Sequence, residues 1–202
     1  MKKYLILLLS ISTLISCEPK DFPNEGIDLP EMEFGLKISP DTAYIRLGDT
    51  VTLAASIPST LSNGVKIEDG KATIDLFMSY RTEVPATNVN NETVVVGTHL
   101  NVLEEKGSIR VSPNTGKIVE IYAHPYGDSI QVAIKFIPLK KGTFRFSVQS
   151  MFYEGSKGKT RTVPKFDVEN PHWDQLWKIE GHPAPSAKES SYYRNYFFAV
   201  TD

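Results

Sequence analysis

Apolar and polar residues alternate with a period of two through most of this 202-residue chain, and this pattern limits the fold more than any other sequence feature. In Val51–Ile57, for example, every second side chain is apolar, as expected of a strand that is buried on one side. Turns rich in glycine and proline separate such segments at intervals of about 8–12 residues, the spacing of strands in β-sandwiches. The other strands are predicted at Phe34–Ser39, Tyr44–Leu47, Lys71–Tyr80, Thr93–Leu103, Ser108–Val111, Lys117–Ala123, Ser129–Ile137 and Thr143–Phe152. Within Thr93–Leu103, Gly97 is expected to mark a bulge or bend.

Two passages resemble corners of extracellular immunoglobulin-like domains. Ile45–Leu53 (IRLGDTVTL) is similar to the corner where the A′ strand turns into strand B, and Phe136–Phe146 (FIPLKKGTFRF) is similar to the E–F corner. The disulfide and the core tryptophan of antibody domains are both missing. The resemblance implies an all-β fold, an immunoglobulin-like antiparallel β-sandwich, within a domain that spans residues 34–202.

The pattern changes from about residue 154, where we expect a C-terminal extension of one short helix and a final strand. Asn170 is suited to cap the helix and Pro171 to occupy its first turn. Trp173, Leu176 and Trp177 then fall on one helical face. Ser190–Asp202 predicts the last strand, and its core-facing side chains are expected to be Tyr192, Tyr196, Phe198 and Val200.

The first seventeen residues (MKKYLILLLSISTLISC) predict an export signal. Two lysines precede an apolar run that is too short to span a bilayer. The last four residues resemble the lipobox of bacterial lipoproteins. This resemblance implies that residues 1–16 are removed and that Cys17, the only cysteine of the chain, is lipidated and attaches the protein to a membrane.

Residues 17–33 are acidic and contain three prolines, which predicts an extended tether. Part of this stretch resembles a signal for display on the outer face of the outer membrane, and the chain as a whole resembles small envelope lipoproteins of gut Gram-negative anaerobes. We therefore expect an outer-membrane location, possible surface exposure and partners in the envelope. The formal net charge of −2 argues against nucleic acid as a partner.

Catalytic and metal-binding patterns are scarce. A single cysteine excludes a zinc–thiolate site, and no two of the four histidines have the HxH or HxxxH spacing of metal ligands. No glycine-rich phosphate or dinucleotide motif occurs. We expect no cofactor, no metal and no enzymatic activity. A hydrolase remains an alternative, because a Ser-His-acid triad can be assembled from distant segments.

Aromatic residues are concentrated in the C-terminal third, and they allow two interpretations. They can close the open end of the sandwich, or they can form a platform that stacks on sugar rings. Ligand contacts are predicted for Trp173, Trp177, Tyr193 and Phe197, of which the last two lie opposite the core-facing side of the final strand. The sequence thus favours a binding module for a glycan or a protein, with an assembly subunit that offers an open sheet edge as the alternative.

Overall fold

A computed structural model describes residues 35–60, 64, 66–82, 92–155, 158–162, 164–175, 185–189 and 191–202. The predicted signal peptide (1–16), the tether (17–33) with Cys17, and Trp177 lie outside these residues. Within the described ranges, no helix is long and apolar enough to cross a membrane.

Thirteen strands account for most of the described residues, which confirms the all-β prediction. The strands are β1 (Gly35–Ser39), β2 (Tyr44–Arg46), β3 (Val51–Pro58), β4 (Ile67–Arg81), β5 (Glu92–Thr93), β6 (Leu100–Lys106), β7 (Ser108–Val111), β8 (Ile118–Tyr126), β9 (Ser129–Pro138), β10 (Gly142–Gly155), β11 (Gly158–Thr162), β12 (Lys165–Phe166) and β13 (Asn195–Thr201). Residues 173–175 are helical, and Tyr192–Arg194 form one 3₁₀ turn.

The strands form two layers. The first contains β12, β1, β3, β9 and β6, and the second contains β2, β13, β10, β4, β8 and β7. The β8 strand belongs to both, because its first part pairs with β4 and its end pairs with β9. The N-terminal segment also crosses between layers, since β1 pairs antiparallel with β3 whereas β2 pairs parallel with β13. This arrangement is the predicted immunoglobulin-like sandwich.

The core lies between the two layers and follows the alternation seen in the sequence. Along β9 every second residue is buried, and the same alternation holds along β3. The rings of Phe136 and Phe146 meet edge to face with centroids 4.9 Å apart and join the two layers. Phe198 stacks on Phe144 at 5.3 Å, so the final strand is part of the core. Each such buried side chain contributes about 1.5–3 kcal/mol to stability.

Several local predictions were wrong. Tyr192, expected to face the core from the last strand, lies in the 3₁₀ turn before β13, and the short helix begins at residue 173 rather than at Pro171. The strand predicted at Lys71–Tyr80 begins earlier, since β4 starts at Ile67 and continues to pair with β10 past a register shift. Gly97, expected to mark a bulge or bend, adopts φ 79° and starts a turn, so that Thr93–Leu103 is divided between β5 and β6.

Candidate functional site

The outer face of the second layer carries the candidate ligand-binding surface. Along β4, β10 and β13, alternate residues enter the core, and the residues between them point outward. Phe77, Arg145 and Phe197 are outward residues on these three adjacent strands, and Arg145 lies opposite Phe197 in the β10–β13 pairing. Aromatic and cationic side chains are therefore neighbours on one sheet face.

Phe197 does not offer its ring to a ligand. The sequence places Phe197 opposite the core-facing side of β13, and the structure agrees, but the side chain is 0% exposed. Trp173 packs on it with ring centroids 4.6 Å apart, and the Phe197 amide donates a hydrogen bond to the Pro171 carbonyl at 3.0 Å. Residues 171–173, which lead into the short helix, thus form a cover over the outer face of the sheet, and Phe197 contributes to packing.

Trp173 and Tyr193 remain partly accessible and extend the surface outward from this cover. The Trp173 indole donates from Nε1 to the Tyr192 carbonyl at 3.1 Å and stacks against the Tyr192 ring at 6.3 Å. Tyr193 meets Tyr192 edge to face at 4.9 Å. These contacts fix the three rings relative to each other, so the surface is formed before any ligand arrives.

Phe77 completes this surface. It is not among the ligand contacts predicted from the sequence. Its ring is 41% exposed, and the Arg145 guanidinium lies 5.9 Å from the ring centroid, which is within the range of a cation–π contact. The available signal was an aromatic residue on the outward side of a predicted strand. We call the surface formed by Tyr193, Tyr192, Trp173, Arg145 and Phe77 the aromatic strip.

A cluster of contacts around the buried Tyr196 holds the cover in place. The Tyr196 hydroxyl donates to Asp41 Oδ1 at 3.1 Å and accepts from the Thr42 amide at 2.9 Å. His172 lies edge to face on Tyr196, and its Nε2 is 3.4 Å from Asp41 Oδ1. Burial raises the pKa of Tyr196, so this hydroxyl stays protonated as a donor. His172 has φ 58°, a left-handed conformation that only strong local contacts sustain in a non-glycine residue.

The other described histidines are held by separate contacts. His99 is buried in the turn before β6, where Nδ1 accepts from the Val95 amide at 3.0 Å and Nε2 lies 3.2 Å from Glu92. His124 lies on β8, between a serine and an aspartate. No group of three or more His, Cys, Asp or Glu side chains capable of holding a metal occurs in the described part of the chain.

A groove of about 550 Å³ crosses the outer face of the first layer. Its lining includes small residues such as Gly35, Ala54 and Ala133 and charged side chains such as Glu105 and Asp167. The open shape and the mixed charge distinguish it from the deep apolar pockets that enclose small molecules.

The outer edges of β6 and β7 are two of the places in the described strands where a strand of another chain could pair. Among the described strands, β6 pairs with β9 and β7 with β8, so each leaves one edge open. Leu103 on this edge is 53% exposed. However, Glu104, Glu105 and Lys106 follow directly, and a register shift interrupts the ladder beside them. Charges and bulges of this kind oppose the addition of a further strand.

No protein-family model matches the sequence, and no curated protein is significantly similar to it. Three solved structures show distant similarity. A cohesin module of a family 33 glycoside hydrolase from Clostridium perfringens is 8% identical with a TM-score of 0.35, over 64% of this chain and 95% of that one. An uncharacterized immunoglobulin-like protein from Nocardia farcinica is 9% identical with a TM-score of 0.34, over 84% and 99%. A type II cohesin domain from the cellulosome of Acetivibrio cellulolyticus is 12% identical with a TM-score of 0.31, over 66% and 90%. Similarity at this level assigns neither a family nor an activity.

Proposed function

We propose that this chain is a lipid-anchored envelope protein whose β-sandwich binds glycans. The anchor is proposed from the sequence, where a short apolar signal ends at a lipobox-like Leu14–Cys17 and a proline-rich tether follows. In this proposal, acyl chains on Cys17 hold the protein to the outer membrane, and the sandwich is displayed beyond the tether. The weakly acidic charge suits attachment through lipid rather than through a polybasic segment.

The anchor is tested by growing cells with labelled palmitate and comparing the wild-type protein with Cys17→Ala. We expect label on the wild-type chain alone, and the variant should keep its uncleaved signal and migrate as a larger protein. Label that persists on Cys17→Ala would refute the assignment. Protease added to intact cells then reports whether the sandwich lies outside the outer membrane.

The aromatic strip is the observation that supports glycan binding. Its rings are fixed by mutual contacts, they are partly accessible, and Phe77 adds a 41% exposed ring beside a guanidinium. Aromatic faces stack on the apolar faces of sugar rings, and the nearby cation and tyrosine hydroxyls can bind sugar hydroxyls or carboxylates. An extended surface of several rings on a sheet face fits a chain of sugar units better than a single small molecule.

The test is a glycan array probed with the full chain in detergent, followed by titration of the best ligand. We expect Phe77→Ala and Tyr193→Ala each to weaken binding about five- to tenfold, because each removes one stacking ring. Tyr126→Ala is the matched control, since Tyr126 is equally exposed (42%) but lies on the β8–β9 hairpin. Equal binding by the wild type and all three variants would refute the aromatic strip as the binding site. If no glycan on the array is bound, a protein ligand is favoured.

A further inference from the structure

Ser108, His124 and Asp69 form a continuous hydrogen-bonded relay that the aromatic strip does not use. Ser108 Oγ lies 3.1 Å from His124 Nε2, and His124 Nδ1 lies 3.1 Å from Asp69 Oδ1. The three residues come from β7, β8 and β4, and sheet pairing brings them together, with Ser108 opposite Tyr122 on the neighbouring strand. Both distances lie within hydrogen-bonding range, and the serine and the carboxylate occupy opposite ring nitrogens.

The carboxylate fixes the direction of both hydrogen bonds. An ionised Asp69 can only accept, so His124 Nδ1 carries the hydrogen and donates it. In the neutral imidazole Nε2 is then the acceptor, and Ser108 donates its hydroxyl hydrogen to it. This is the order of groups through which a histidine takes the proton of a serine during nucleophilic attack and an aspartate stabilises the resulting imidazolium.

The residues before Ser108 place a cation in the same cluster. Gly107 has φ 80°, and this turn carries the chain from β6 into β7 directly before the serine. Lys106 Nζ donates to Gln131 Oε1 at 2.5 Å, and Gln131 lies opposite His124 in the β8–β9 pairing. Lys106 is thus linked through Gln131 to the β8–β9 pair that carries His124, and its ammonium also lies over the Tyr126 ring at 5.3 Å.

We propose that this relay hydrolyses carboxylic esters. Ser108 Oγ attacks the ester carbonyl carbon while its proton passes to His124 Nε2. The tetrahedral intermediate then collapses, the carbon–oxygen bond to the alcohol breaks, and His124 protonates the departing alkoxide. Water attacks the acyl-serine next, His124 takes a proton from it, and the released Ser108 oxygen recovers that proton as the carboxylic acid leaves.

The solvent exposure of the relay favours esters over amides as substrates. The side chains of His124 and Asp69 are 37% and 68% exposed, so water weakens charge stabilisation there. Esters release a better leaving group than amides and need less of this stabilisation. The exposure of His124 and Asp69 leaves room for an ester carried on a large polar molecule to reach the serine.

The experiment combines a fluorophosphonate probe with turnover of p-nitrophenyl acetate by the full chain in detergent. We expect mass spectrometry to place the probe on Ser108, and Ser108→Ala to abolish labelling. Ser108→Ala and His124→Gln should each lower kcat/KM at least about a hundredfold, as expected when a nucleophile or its general base is lost. Ser112→Ala, four residues along the same edge, is the control that keeps full activity.

Asp69 acts through His124, and its role as a positioning residue needs its own readout. Asp69→Asn should lower kcat and alter the pH–rate profile, because the amide no longer fixes the tautomer, and Asp69→Glu should restore part of the rate. Circular dichroism confirms that each variant is folded. Probe that fails to label folded wild-type protein, or acetate release that Ser108→Ala leaves unchanged, would overturn the relay as a hydrolytic site and leave it a structural network. Neither result bears on glycan binding, which involves other residues.

Discussion

The indole of Trp173 lies on the ring of Phe197 with centroids 4.6 Å apart, and this contact joins the short helix to the outer face of β13. It buries a residue that strand alternation alone places on the solvent side. As a result β13 is covered on both faces, with the sandwich core on one side and Trp173 on the other.

We expect Phe197→Ala to destabilise the protein by about 3–5 kcal/mol, because it leaves a cavity beneath Trp173. Phe77→Ala is the matched control on the same face of the layer, where the ring is 41% exposed and its loss should cost about 0.5 kcal/mol. Urea unfolding followed by tryptophan fluorescence measures both values. Equal losses for the two variants would show that the cover does not form in solution.

The strands could be predicted from the sequence because every second residue along a strand points into the core. For example, alternation predicts β9 at Ser129–Ile137, and the strand in the structure is Ser129–Pro138, which is one residue longer. It failed near Gly97 because one residue with positive φ changes the direction of the chain without disturbing the apolar pattern.

The candidate sites were harder to predict because they depend on which segments meet. Phe197 looks exposed in the sequence, and its cover comes from Trp173 in a different element. Asp69, Ser108 and His124 are far apart along the chain and carry no motif, so only strand pairing brings them together. The sequence therefore shows which side chains can bind or react, but it does not show which of them are covered by another segment or which lie close together.

Because of Tyr196, the free energy of unfolding should decrease as the pH rises into the alkaline range. Its buried hydroxyl has a raised pKa in the folded state, whereas an unfolded tyrosine ionises near pH ~10. Its contribution is therefore fully present below pH ~10 and is lost as the pH rises toward the folded pKa, at up to about 1.4 kcal/mol per pH unit.

Tyr196→Phe should cost about 1.5–3 kcal/mol at neutral pH, because it removes the hydrogen bond to the Asp41 carboxylate. Above pH ~10 its stability should fall less steeply than that of the wild type. Tyr126→Phe, at an exposed position, should match the wild type throughout. Urea unfolding over this pH range measures the three slopes, and parallel curves for Tyr196→Phe and wild type would contradict the role of the buried hydroxyl.

His99→Leu should cost about 1–3 kcal/mol, because the Val95 amide that donates to Nδ1 loses its acceptor inside the protein. His99 also packs against Tyr80 at 4.9 Å, and leucine replaces only part of that contact. Glu92→Gln is the control, since the carboxylate is 60% exposed and an amide oxygen still accepts from Nε2, so the change should stay within about 0.5 kcal/mol. Chemical unfolding of both variants checks the difference. A large loss for Glu92→Gln would instead assign the stability to the ion pair.

Alanine substitutions at two glycines with similar backbone dihedral angles distinguish the cost of conformational strain from the cost of steric contact. Gly48 and Gly107 have φ 87° and 80°, so alanine at either position should cost about 1–2 kcal/mol for the left-handed conformation. A Cβ on Gly48 meets nothing within 4 Å, whereas a Cβ on Gly107 would lie 2.3 Å from the Tyr122 carbonyl oxygen.

Gly107→Ala must therefore also move β7 away from β8, and its total loss should exceed that of Gly48→Ala by about 1–3 kcal/mol. Because Ser108 is the next residue, the same movement should lengthen its hydrogen bond to His124 and slow labelling of the serine by a fluorophosphonate. Urea unfolding and the labelling rate are measured on both variants. Equal stability of the two would mean that the chain relieves the contact without separating the strands, and labelling of Ser108 should then proceed at the wild-type rate in both.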